Sequence, residues 1–284
     1  MNKKIAIIGV NGKMGKWFAN YFYKMGFEVK GFDTENEIKE KFIIKANSLV
    51  GAILQIDYVL LCTPTKNTPE IIRLIAKEMK RESYLIEISS HKSKTSQTLL
   101  KIPNKVQPIC IHPMFGPGIK KLDGKNIIII PIRDAKKELD ITKSLFPKAN
   151  FVTIDAIEHD KKIAVILGLT HLINIVFANI LAKDETISLT EKMSGATFKA
   201  QKIVTESILT ESAELIETIV SNPEVRRYGE EFWKDVGKLL TDSQEGKRDE
   251  IINYIESSKE KISKNVDLDK SYKKLSAMLK IIEK

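Results

Sequence analysis

The stretch Lys4-Ile5-Ala6-Ile7-Ile8-Gly9-Val10-Asn11-Gly12-Lys13-Met14-Gly15 decides the fold. Lys4 to Ile8 is a compact apolar run suited to a strand buried on both faces. Glycines spaced G-x-x-G-x-x-G follow, and then a helical pattern through Trp17, Phe18, Tyr21 and Phe22. Strand, glycine turn and helix in succession are the context in which such a motif binds a dinucleotide. Gly12 lets the backbone approach a pyrophosphate, Gly15 lets the helix pack on the strand, and the first turn's N–H groups face the anion. The spacing is not the usual G-x-G-x-x-G, so the turn holds an extra residue. Gly9, Asn11, Gly12, Lys13 and Met14 are the candidate cofactor contacts. A second strand runs from Phe27 to Phe32 and ends at Asp33, placed to accept both ribose hydroxyls. Its other reading is a helix N-cap. Thr34, Glu35 and Asn36 follow it, with no arginine to pair with a 2′-phosphate, which would be repelled there; this argues for NAD over NADP.

The alternation continues outward. Leu49 to Ile56 reads as a short helix, and Tyr58 to Cys62 as a strand ending at Thr63-Pro64-Thr65, where a nicotinamide ribose would lie. Pro69 to Met79 is a helix, with Thr68 as its N-cap and proline at the first helical position. Strands at Tyr84–Ile88, Val106–Ile111, Asn126–Pro131 and Asn150–Ile154, and a helix at 135–145, complete a doubly wound parallel sheet of Rossmann type over residues 1–154. After Asp155 the strand signals stop. Residues 156–182 form one helical pattern, apolar nearly all round, and helices follow over about 189–221, 225–241, 245–265 and 268–282. This gives an α/β chain with an all-helical second domain, 155–284, expected to supply substrate-binding walls and a homodimer interface. The long apolar helix should be buried, against a second subunit.

In an open α/β sheet, ligands bind outside the carboxyl ends of the strands. Ser90 and His112 follow neighbouring strands and emerge at the same rim. Pro113, Gly116, Pro117 and Gly118 stiffen the turn after His112. The plainer reading is a structural ring that satisfies a loop carbonyl. His159 and His171 are twelve residues apart in the long helical pattern and share roughly one face. His171 lies among apolar residues, as a satisfied core histidine would, and His159, in the first turn, reads as solvated or capping. No histidine has metal-ligand spacing to a cysteine or a carboxylate cluster, so no metal is expected.

Composition agrees. The chain has 284 residues, 43% of them hydrophobic, enough for one large or two medium domains. The net charge of +9 is spread thinly, without the aromatic interleaving of a nucleic-acid binder; it suits a small anionic substrate, though generic solubility charge is the plainer reading of most of these lysines. Cys62 and Cys110 lie in apolar runs and read as reduced thiols of a cytoplasmic protein. The N-terminus has no signal-peptide pattern, and no apolar run approaches a membrane span, so no membrane association is expected.

The glycine turn, Ile86-Glu87-Ile88-Ser89-Ser90-His91-Lys92, His112-Pro113-Met114-Phe115-Gly116-Pro117, and Glu158-His159-Asp160 through Leu169-Thr170-His171 occur in the order found in prephenate dehydrogenases. The chain resembles the dehydrogenase part of the bifunctional chorismate mutase–prephenate dehydrogenases and their archaeal relatives, over roughly residues 4 to 240. The dehydrogenase part alone, without a mutase-type domain before residue 4, is the expectation. The resemblance implies NAD-dependent oxidative decarboxylation of prephenate to 4-hydroxyphenylpyruvate, a step in tyrosine biosynthesis; arogenate or a related small acid is the alternative substrate, and a non-catalytic nucleotide-binding relative the alternative role. It implies that His112, neutral, accepts a hydrogen bond from the ring hydroxyl as hydride leaves the same carbon. It also implies that Ser90 bonds His112 and the hydroxyl, and that His171 shapes the substrate pocket. The family's carboxylate-binding arginine is missing: the chain reads Thr197-Phe198-Lys199-Ala200-Gln201-Lys202, with Lys199 the best match and Lys202 next. The glutamates between Thr205 and Glu217 read as a solvated face.

Overall fold

The computed structural model describes residues 3–34 and 37–282, without the side chains of 281 and 282. Glu35 and Asn36, part of the argument for NAD over NADP, lie outside the described residues. The chain divides into two compact units, Met1–Ile163 and Ala164–Lys284, and each is described by itself.

The first unit is built on an eight-stranded sheet of order β3-β2-β1-β4-β5-β6-β7-β8. The strands are β1 (Lys4–Ile8), β2 (Glu28–Phe32), β3 (Ile43–Lys45), β4 (Tyr58–Leu61), β5 (Ser83–Glu87), β6 (Val106–Pro113), β7 (Asn126–Ile129) and β8 (Asn150–Thr153). Helices cover both faces, which is why the strands read as continuous apolar runs. On one face Phe18 and Phe22 of α1 (Lys13–Lys24) pack with Phe146, at the end of α5 (Ala135–Leu145). On the other, α2 (Leu49–Ile53), α3 (Thr68–Ile75) and α4 (Ser93–Leu100) bury Ile53, Ile72, Ile75 and Leu99. α6 (Ala156–Ile163) belongs to this unit, so the division falls after Ile163 instead of after Ile154. The reason is chemical: His159 and Asp160 of α6 bond to β6 and to the start of α4.

Two expectations are corrected here, and one strand is added. The sheet is not parallel throughout, because β7 runs antiparallel to β6, with His112 opposite Ile128. The segment joining them carries no helix, and a parallel return needs a crossover, usually helical; α5 supplies one between β7 and β8, which pair parallel. β3 was not legible, since Ile43-Ile44-Lys45 is too short to show a period. At α3 the N-cap is Asn67, and Thr68 is the first helical residue; its hydroxyl donates to the carbonyl of Pro64 at 3.2 Å.

The second unit opens with a π-helical stretch, Ala164–Leu169, and continues through α7 (Thr170–Leu181), α8 (Ile187–Lys192), α9 (Ala196–Ile208), α10 (Ala213–Val220), α11 (Pro223–Gln244), α12 (Arg248–Ser263) and α13 (Leu268–Ile282). The helix expected over 189–221 is three: Gly195 begins α9, and the Ser212 hydroxyl accepts the Leu215 N–H at 3.2 Å to begin α10. Gly168, in the π stretch, packs hard on α11: a Cβ there would lie 2.0 Å from Cγ2 of Val225.

By length and composition alone Ala156–Leu181 could cross a membrane, which corrects the expectation that no apolar run approaches that length. Its buried polar groups have partners inside the two units: His159 and Asp160 in the first, His171 and Asn174 in the second. Asn174 accepts at Oδ1 from Gln201 (2.8 Å) and from the Thr205 hydroxyl (2.6 Å). Its apolar face is barer than expected: only 28% of the apolar window is buried in the single chain, and Ile166, Val176 and Ile180 are exposed.

Candidate functional site

The glycine turn is built by steric necessity. A Cβ on Gly15 would lie 2.1 Å from the carbonyl oxygen of Gly9, so only glycine allows α1 to begin this close to β1. Gly9 has φ +83°, and a Cβ there would meet the carbonyl oxygen of Cys62 on the neighbouring strand at 2.5 Å. Gly12 is the exposed N-cap of α1, with no side-chain cap and no acid in the first turn. That leaves the first-turn N–H groups to meet an anion. Asp33 closes the turn, its Oδ2 accepting the Asn11 N–H at 2.8 Å. Thr63 and Pro64 follow β4, beside β1, and the Thr63 and Thr68 hydroxyls lie 3.0 Å apart.

β5 and β6 are parallel neighbours with Glu87 opposite Cys110, so Ser90 and His112 both stand at the carboxyl rim. No hydrogen bond joins them among the described residues. The partner of His112 is His159, with His112 Nδ1 3.0 Å from His159 Nε2. His159 Nδ1 lies 2.9 Å from Oδ1 of Asp160. His159 is buried instead of solvated or capping. The chain of contacts sets the tautomers. The Asp160 carboxylate can only accept, so His159 carries its proton on Nδ1 and presents a lone pair at Nε2. His112 must then donate from Nδ1, which leaves its own Nε2 as an acceptor. Burial, and then the charge of Lys92, hold the His112 ring well below its ordinary pKa, so it is neutral.

Asp160 also ties α6 to α4. It accepts the Lys92 N–H and the Ser93 N–H, each at 2.9 Å, and the Ser93 hydroxyl. Burial opposes its ionisation, but His159, Ser93 and these N–H groups together hold its pKa below the usual carboxylate range. Beneath the rim, Lys92 is fully buried. Its Nζ donates to Glu87 Oε2 at 2.8 Å and to the carbonyl of Ile111, next to His112, at 2.6 Å. His91 Nε2 is a buried atom without a partner. The turn after His112 is anchored on α1: Trp17 Nε1 donates to the Ile119 carbonyl at 2.9 Å, and the Phe115 ring lies 5.2 Å from that of Trp17. Gly116 and Gly118 face open space, so packing on Trp17, not close approach at these glycines, fixes the turn.

The second unit holds the remaining candidates. His171 Nδ1 meets the Leu167 carbonyl at 2.7 Å, and its Nε2 meets Glu211 Oε2 at 3.3 Å. Both partners are acceptors, which favours the protonated ring. The Glu211 hydrogen bond raises its pKa, burial opposes this, and the Leu167 carbonyl adds to it. Lys202 is gripped by Glu191 and Glu206, at 2.9 and 2.5 Å. Lys199 is half-buried on α9. Glu206 and Glu211 therefore hold cations, beyond lining a solvated face. No group of three or more histidine, cysteine or acidic residues able to hold a metal occurs among the described residues.

Residues 18–154 match the sequence model of the family described as prephenate dehydrogenase, nucleotide-binding domain. Residues 18–154 are thus similar to the nucleotide-binding domain of prephenate dehydrogenases. A probable arogenate/prephenate dehydrogenase of Methanocaldococcus jannaschii is 30% identical over 183 residues, 60% of this chain and 40% of that protein. The T-protein of Enterobacter agglomerans is 21% identical over 84% of this chain and 62% of its own length. The chain thus spans less than two thirds of these curated relatives. Among solved structures, prephenate dehydrogenase from A. aeolicus, in complex with hydroxyphenyl propionate and NAD+, shares the fold with a TM-score of 0.75 and 21% identity, over 93% of this chain and 98% of that one. The Rossmann-type sheet followed by helices is therefore the fold of prephenate dehydrogenases.

Sequence reasoning named His112 but missed His159 and Asp160 as its support. The available signal was their adjacency in Glu158-His159-Asp160, which places an acceptor beside a ring nitrogen.

Proposed function

We propose that the chain is an NAD-dependent dehydrogenase that oxidatively decarboxylates prephenate to 4-hydroxyphenylpyruvate in the cytoplasm. The observation that carries this reading is the lone pair at His112 Nε2, fixed by His159 and Asp160 at the rim of a nucleotide-binding sheet. NAD fits the turn: Gly9 and Gly15 exclude side chains from it, the α1 N-terminus is uncapped, and Asp33 stands at the end of β2. Bound there, NAD supplies the hydride acceptor. Gly12 and Lys13 would meet its pyrophosphate, Asp33 its ribose, and Thr63 and Pro64 its nicotinamide end. His112 Nε2 accepts the hydrogen bond of the substrate's ring hydroxyl and takes its proton as the carbon becomes a carbonyl. Ser90, at the same rim, is proposed to hold that hydroxyl. Rearomatisation with loss of carbon dioxide drives the step without a metal.

In the helical unit His171 and Lys199 are the proposed substrate-binding residues, with Lys202, paired with Glu191 and Glu206, as the alternative to Lys199. The protonated ring of His171 suits an anionic substrate. The apolar face of α7 is proposed to be covered by a second copy of the chain. Arogenate is the second reading, favoured by Glu211: a carboxylate beside His171 suits a substrate that carries an ammonium group. The test is NADH formation with each substrate, and with NADP in place of NAD. Prephenate with NAD should be the fastest combination; a preference for arogenate reverses the substrate choice, and no reduction with either removes the proposal.

A further inference from the structure

A cleft of about 400 Å³ lies between α3 and α4, on the outer face of the nucleotide-binding unit. Arg73, Lys77, Lys94 and Lys101 line it, no carboxylate does, and Ile102 and Pro103 give it an apolar wall. All four cations are exposed, and none of their head groups has a hydrogen-bond or ion-pair partner among the described residues. Glu70 stands one turn before Arg73, yet the two form no ion pair. Like charges gathered without counterions repel one another, so this grouping needs a reason.

Helix ends are the first reason to consider, because cations favour the carbonyl ends of helices. Here other residues already hold those ends. Arg133 donates to the carbonyls of Leu100 (3.3 Å), Ile102 and Val106 (3.1 Å), closing α4. Lys105 Nζ donates to the Lys77 carbonyl at 2.7 Å, just beyond α3. The four rim cations are surplus to that need, and Arg133 and Lys105 add to the positive field.

We infer that this cleft is a second binding site, for a small organic anion carrying several phosphate or carboxylate groups, its body against Ile102 and Pro103. The volume is in the range of small-molecule sites, about 300–1,000 Å³. Three lysines present point charges and Arg73 a planar fork, which suit clustered phosphate or carboxylate oxygens.

Titration calorimetry of the whole chain, with NAD present to occupy the glycine turn, tests this with two probes, inorganic tripolyphosphate and citrate. One-site saturable binding of either supports the site, and the tighter probe tells a phosphorylated ligand from a polycarboxylate. Arg73→Gln with Lys101→Gln should weaken binding by about tenfold or more, the scale of lost charge-assisted contacts. Lys77→Gln with Lys94→Gln should do the same from the other pair. A control of equal charge, Lys24→Gln with Lys143→Gln, should change it by less than about threefold, since those exposed lysines lie off the cleft. No saturable binding of either probe, or equal weakening by the control, overturns the proposal.

Discussion

Nδ1 of His112 lies 3.0 Å from Nε2 of His159, and this contact, not one to Ser90, orients the rim histidine. Because Asp160 fixes the proton of His159, the acceptor face of His112 is decided two residues away from any substrate.

His159→Phe keeps the bulk and removes the acceptor. Without it His112 can adopt the wrong tautomer, so kcat should fall on the order of 100-fold while NAD affinity stays unchanged. His159→Gln, whose amide oxygen can still accept, should recover part of the loss. Equal activity of both variants and wild type would mean the contact is only structural.

The pH dependence has opposite signs in the two units. His112 is depressed below its ordinary value, so acid protonates the unfolded ring first. Its contribution to stability is therefore present above pH about 6.5 and is lost as pH falls below it, with no help from Asp160, which is depressed too. His171 is raised: its contribution is full below pH about 6.5 and is lost as pH rises through its folded value. Histidine NMR titrations check this. His171 should titrate above the usual range, Glu211→Gln should lower it, and His112 should stay neutral throughout the neutral range.

Gly15→Ala tests the turn. The added Cβ would meet backbone at 2.1 Å, and no side chain can move to relieve it. Stability should drop by about 3 kcal/mol or more, beyond ordinary overpacking. Gly116→Ala, in open space, should cost less than about 1 kcal/mol. Denaturant melts of the two variants read the difference.

The parts of this molecule legible in its sequence are those set by local chemistry. Gly15 had to be glycine for α1 to meet β1, and Ala135–Leu145 and Leu268–Ile282 carry a clear helical period. What was not legible depends on long-range partners. The antiparallel turn of β7 follows from the connection after His112, and the strand's composition does not reveal it. His159 looked solvated because nothing in its own neighbourhood says that β6 lies across from it. Nothing in the sequence around Lys92 marks it as buried, yet it is held against Glu87 and Ile111.

Lys199 is the first candidate for the substrate carboxylate and Lys202 the second. Lys202 is held by Glu191 and Glu206, so Lys202→Ala should change the KM for prephenate little. Lys199→Ala should weaken binding by on the order of 1.5–3 kcal/mol, the scale of a charge-assisted hydrogen bond, with a smaller effect on kcat. Lys199→Arg should retain activity. The reverse order in steady-state kinetics would assign the carboxylate to Lys202.

The most direct measurement is turnover of prephenate by His112→Asn beside wild type, followed as NADH formation, with NAD affinity measured on the same samples. The account predicts a loss of turnover on the order of 100-fold or more, with NAD binding near wild type. Near-normal turnover by His112→Asn would contradict it.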